Sequence, residues 1–175
     1  MITPQALIQL KAFARIDGFV LSVVWLMSMW LYIKVPGNAF GPLLMLSTPF
    51  FLTWRLCSFR DKALDGHISA RRSIAYSCYT VFYASLIFAV GQYVYFRYLD
   101  NGDFLKLLNT GKEIINSNSQ TFGMATGDVD LAVETVSLMT PIELVFSFMM
   151  NNLVIGAVLS PVVTIFSKMT EKRNR

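Results

Sequence analysis

Few residues in this chain are of a type and spacing that could do chemistry. His67 is its only histidine, and although Asp61 and Asp65 stand near it, all three sit on one short polar loop. That is a weak zinc pattern, and a solvated loop histidine accounts for it more simply. No GxxxxGK[ST], HExxH, CxxC or GxSxG is present, so the common motifs for phosphate cradling, zinc hydrolysis and acyl transfer are missing. Neither a catalytic constellation nor a cofactor is expected. Cys57 and Cys78 flank a basic loop and read as two free buried thiols.

The remaining candidates lie where polar groups are costly. Residues 140–167, TPIELVFSFMMNNLVIGAVLSPVVTIFS, are long enough to cross a hydrocarbon core of about 30 Å and carry Glu143, Asn151, Asn152 and Pro161. Glu143, Ser147 and Asn151 are spaced by four on one helical stripe, and Asn152, Gly156, Ser160 and Thr164 form another. Glu143, Ser147, Asn151 and Asn152 are therefore the candidate intramembrane polar site. One reading is a polar cavity or ion path. The other is structural: interhelical hydrogen bonds contribute only about 0.6 kcal/mol each but fix which helices pair. On that reading Glu143 is a capping acid behind Thr140 and Pro141. Both asparagines are expected to face protein, at least one of them bonding across to Ser28, Ser47, Thr48, Thr80, Ser85 or backbone of the third span. No other acid and no base is placed deep in a span, which favours the structural reading.

These residues must be positioned by membrane helices. With 54% hydrophobic residues over 175 positions and a mean hydropathy of +0.51, the chain reads as one all-α integral membrane domain over 1–175. Four spans in a bundle are predicted, at about 18–34, 39–57, 74–99 and 140–167. Thr3 and Pro4 start an amphipathic N-terminal extension that lies on the membrane surface or runs straight into the first span. No cleavable signal peptide is evident. Pro49 and Pro161 should each bend their helix, with Ser47 and Thr48 near the first bend to satisfy freed backbone groups. Trp54 and Arg55 close the second span at an interface, the arginine snorkelling. Ser73, Ser77, Thr80, Ala84, Ile87 and Gly91 form a small-residue seam on the third span that should face another helix. Residues 100–139 form a helical extracytoplasmic insertion, with helices at about Asp103 to Asn116 and Asp128 to Met139 joined by NSNSQTFGMATG.

Lysine and arginine concentrate before the first span, around the middle loop and in the tail, while the 100–139 loop is acidic. By the positive-inside rule both termini and the middle loop are cytoplasmic. Arg60, Lys62, Arg71 and Arg72 are the candidate lipid-headgroup or partner contacts, each contributing about 1 kcal/mol at an anionic surface, unless they only fix topology.

The order of features resembles a family of small bacterial four-helix inner-membrane proteins, domain of unknown function 4199. The matching parts are Arg60-Asp61-Lys62, Gly66-His67-Ile68-Ser69, Tyr98-Leu99-Asp100, the Thr140-Pro141 start of the last span and the basic tail after Ser167. A second glycine is expected where His67 stands. The resemblance implies the bacterial cytoplasmic membrane and brings no catalytic or binding residues. It also implies a polyprenol-phosphate glycosyltransferase as a partner. The expected function is a non-enzymatic accessory or assembly subunit that meets the lipid bilayer and a membrane or membrane-associated protein, or a second copy of itself. The alternative is a small homo-oligomeric transporter or channel with its polar site at the midplane of the last helix. No nucleic-acid partner is expected.

Overall fold

The computed structural model describes residues 4–118 and 126–173, and the described residues contain helices and no strand. The helices are α1 (Pro4–Lys34), α2 (Phe40–Leu46), α3 (Thr48–Ala63), α4 (Ala70–Val94), α5 (Asp103–Ser117), α6 (Thr126–Leu138) and α7 (Pro141–Arg173), with a wider π turn, Tyr95–Leu99, continuing α4. Three are long and apolar enough to cross a membrane: Pro4–Lys34, Ala70–Leu99 and Pro141–Thr170, with mean hydropathies of 1.7, 1.6 and 1.8. The N-terminal residues do not lie apart as a surface helix. They extend α1 without a break and bury Leu10 and Ala14 in the core. Thr3 and most of the linker between α5 and α6 lie outside the described residues.

α4 is the central element, with α1 packed along one side and α7 along the other. The small-residue seam explains the closeness. Ser73, Ser77, Thr80 and Ala84 are fully buried. A methyl group on Gly18 would stand 2.8 Å from the Thr80 carbonyl oxygen, so only glycine lets α1 come this near. On the opposite side, a Cβ on Gly156 would meet Val81 Cγ1 at 2.4 Å.

The expected second span is divided at Ser47 into a short and a long helix. Pro49 has no N–H for the Met45 carbonyl, and the hydroxyls before it compensate. Thr48 Oγ1 donates to Met45 O at 2.6 Å and Ser47 Oγ to Leu44 O at 2.6 Å. The division redirects the chain: α2 lies on α1, where Ser28 Oγ donates to Gly41 O at 2.6 Å, while α3 lies mainly against α7. Pro161 behaves differently. α7 runs through it as one continuous helix. Packing on α4 and α3 holds the helix there, and Ser160 Oγ and Thr164 Oγ1 bond carbonyls of their own helix at 2.7 and 2.9 Å.

α5 and α6 fall where the sequence predicts two short helices, and they pack on one another. Lys112 Nζ to Asp130 Oδ1 at 2.9 Å joins them, and Lys34 Nζ to Asp103 Oδ2 at 2.6 Å ties α5 to the end of α1.

Candidate functional site

Because α2 turns toward α1, a groove of about 620 Å³ opens between α1 and α2 on one side and α7 on the other. α4 contributes Phe88 and Gln92 to its wall, and α5 contributes Phe104 and Leu108. Trp25 and Met29 of α1, Met45 and Leu46 of α2, and Phe148, Asn151, Asn152 and Ile155 of α7 line the rest. The lining is apolar apart from Ser28, the Tyr32 hydroxyl and three carboxamides, and it contains no charged side chain.

The carboxamides are not arranged as the sequence suggests. Asn151 is exposed and Asn152 half-buried, and neither makes a hydrogen bond across to another helix. Four of the hydroxyls expected to receive them are engaged with other partners. Ser28, Ser47 and Thr48 bond carbonyls of α1–α2 as described, and Thr80 Oγ1 donates to Tyr76 O at 2.8 Å. Each of these hydroxyls has given its proton to a carbonyl, that of Ser28 across to α2. Ser85 is buried with its hydroxyl unpartnered. Gln92 is a residue the sequence reading passed over. It is 4% exposed, and its Oε1 is buried without a hydrogen-bond partner. Its signal was available as the lone carboxamide in an apolar third span.

Of the other two residues of the expected polar site, Glu143 caps α7. Its Oε2 accepts from the Thr140 N–H at 2.8 Å and from Thr140 Oγ1 at 2.7 Å. Ser147 is exposed, and neither it nor Glu143 lines the groove.

A second polar centre was missed altogether. Asp17 is 1% exposed, and its carboxylate accepts from Arg55 Nε at 2.6 Å and from the hydroxyl of fully buried Tyr76. Arg55 therefore turns inward to a buried acid, which corrects the expectation that it snorkels at an interface. The signal lay in the connectivity. The first part of α1, the last part of α3 and the first part of α4 share one end of the helix assembly, so Asp17, Arg55 and Tyr76 arrive at one level.

The basic residues also divide. Arg60, expected at lipid headgroups, is 2% exposed; its Nη1 donates to the Ser167 carbonyl at 2.7 Å and its Nε to Asp61 Oδ1 at 2.7 Å. It fastens α3 to the last turns of α7. Arg72 is half-buried, donating to Gln9 Oε1 at 3.0 Å and lying over the Phe59 ring. Lys62 and Arg71 are exposed as expected. Cys57 and Cys78 are free and half-buried, each beside a hydroxyl of α7: Ser167 Oγ at 3.6 Å and Ser160 Oγ at 3.3 Å. Among the described residues, Asp61, Asp65 and His67 do not come together as metal ligands.

No curated protein and no solved structure matches this chain. A family model does, over residues 16–169, which includes both polar centres and every helix in whole or in large part. On that match the chain belongs to the family described as protein of unknown function (DUF4199).

Proposed function

We propose that the protein is a non-enzymatic accessory subunit of the bacterial cytoplasmic membrane, acting by binding in its lateral groove. The observation that carries this reading is the groove's polar equipment: Gln92, Asn151 and Asn152 are carboxamides. Carboxamides do not titrate near neutral pH and are poor nucleophiles, so they can recognise a ligand but cannot shuttle its protons. The charged groups elsewhere among the packed helices, Asp17, Arg55 and Arg60, are occupied in ties between helices. In this reading α2 and α3 together make the fourth crossing. With Ser47 between them they span 24 residues, at most about 36 Å at the helical rise and less by the bend at Ser47, against a hydrocarbon core of about 30 Å. Both termini and the basic middle loop lie in the cytoplasm, in keeping with the lysine and arginine distribution.

A polyprenol-phosphate glycosyltransferase is the first partner to test. Tagged protein extracted from native membranes in mild detergent is expected to bring down one membrane protein in constant ratio, identified by mass spectrometry. A bare homo-oligomer that conducts a solute when reconstituted in vesicles would overturn the accessory reading in favour of a transporter.

A further inference from the structure

We infer that the groove is a binding site for an uncharged, hydroxyl-bearing lipid of the diacylglycerol type. The inference rests on the reading of the groove as a binding site and names its ligand. Three observations lead to it. The first is the buried acceptor: Gln92 is 4% exposed, and its Oε1 has no donor within the protein. A buried carbonyl oxygen left unpaired is costly, and a ligand that brings an O–H removes the cost. The second is the pair on the facing wall. Asn151 and Asn152 offer N–H groups that no other helix takes up, and these suit ester carbonyls. The third is the absence of charge. Among the lining residues there is no arginine or lysine to neutralise a phosphate, so an anionic headgroup would be buried unpaired.

Size and access agree. About 620 Å³ lies within the roughly 300–1,000 Å³ usual for small-molecule sites, room for a glycerol ester head and the first part of its chains. The remainder of the chains leaves through the gap between α2 and α7, where the two helices do not close on one another. The groove's own rim carries exposed Met45, Leu46 and Ile155, which suits it to lipid. Binding forms hydrogen bonds only, and no covalent bond changes.

Trp25 lines the groove and makes a reporter, since the chain has only three tryptophans. Trp30 and Trp54 are exposed, so Trp30→Phe and Trp54→Phe leave Trp25 as the single fluorophore. The full chain in phosphatidylcholine nanodiscs is titrated with diacylglycerol carrying brominated acyl chains. Expected are saturable quenching of Trp25, competition by unlabelled 1,2-dioleoylglycerol, and at least tenfold weaker competition by phosphatidic acid with the same chains. Gln92→Leu is expected to weaken the probe at least tenfold without lowering the melting temperature, because it removes a polar atom that has no partner in the empty protein. Asn152→Ala, on the opposite wall, serves as the second variant should the first fold poorly. Quenching that only rises in proportion to bulk probe, phosphatidic acid competing as well as diacylglycerol, or wild-type affinity in both variants would each overturn the inference. The outcomes separate it from the accessory role. Saturable lipid binding by a protein without a stoichiometric partner sinks that role and leaves this site standing. A constant partner on a chain whose groove ignores diacylglycerol does the reverse.

Discussion

At the scale of single residues, Asp17 carries more structure than any other side chain here. One carboxylate, 1% exposed, receives Arg55 from α3 and the Tyr76 hydroxyl from α4, and so joins three helices. A buried pair adds little net stability over an apolar replacement, but losing one partner strands the other's charge. Asp17→Asn is therefore expected to destabilise the detergent-solubilised protein by about 3 kcal/mol, the low end of the buried-pair range because Arg55 keeps 28% of its side chain exposed. Asp17→Leu combined with Arg55→Leu should recover most of that loss. A thermal-unfolding double-mutant cycle checks this, and equal losses for the single and double variants would refute it.

At the scale of elements, the joint between α2 and α3 decides whether a groove exists. Pro49 removes one backbone bond, and Thr48 repairs the break while also accepting the Trp25 indole N–H at 3.0 Å. Thr48→Val keeps the shape and strands the indole donor and the Met45 carbonyl. The expected cost is about 2 kcal/mol with an altered Trp25 emission maximum, whereas Thr48→Ser should lose neither bond. α5, whose Phe104 and Leu108 line the groove, depends on a different kind of tie. The Lys34 ammonium, and beyond it Lys106, hold the Asp103 carboxyl below its ordinary value of 3.8, and Lys112 does the same for Asp130. For a depressed carboxyl the stabilising contribution is present above the unfolded value and disappears as pH falls through the folded one. Both ties face water and are individually weak. The protection factors of the α5 amides against hydrogen exchange are thus expected to stay level from about pH 8 to 5 and to fall below about pH 4. A level profile into the acid range would show that α5 is held by its apolar contacts alone.

At the scale of the whole molecule, orientation is the property most exposed to test. In a chain with Cys57→Ser and Cys78→Ser, a Thr135→Cys label should react with a membrane-impermeant maleimide on intact cells that lack an outer barrier. A Ser69→Cys label should react only after permeabilisation. The reverse pattern would invert the topology.

Much of this architecture is legible in sequence because it depends on local rules. Apolar length marks α1, α4 and α7, and small residues at three-and-four spacing mark the face of α4 that others approach. Thr140, Pro141 and Glu143 spell out a capped start, and Glu143 takes that role. Pro49 with Ser47 and Thr48 describes a bend whose freed backbone groups are satisfied nearby, as they are at Met45 and Leu44. What local pattern could not decide is which polar side chains meet. Asn151 and Asn152 looked certain to find partners because lipid offers none. Yet the division at Ser47 carries α2 to α1 and leaves those amides facing a groove. Asp17 and Arg55 looked like residues of two separate membrane boundaries, and Arg60 like one reaching for headgroups. Only the antiparallel stacking of α1, α3 and α4 brings the first two to one level beside Tyr76, and only the docking of α7 along α3 covers the third. A carboxylate or guanidinium takes its role from the distance to its nearest opposite charge, and between helices that distance is set by packing.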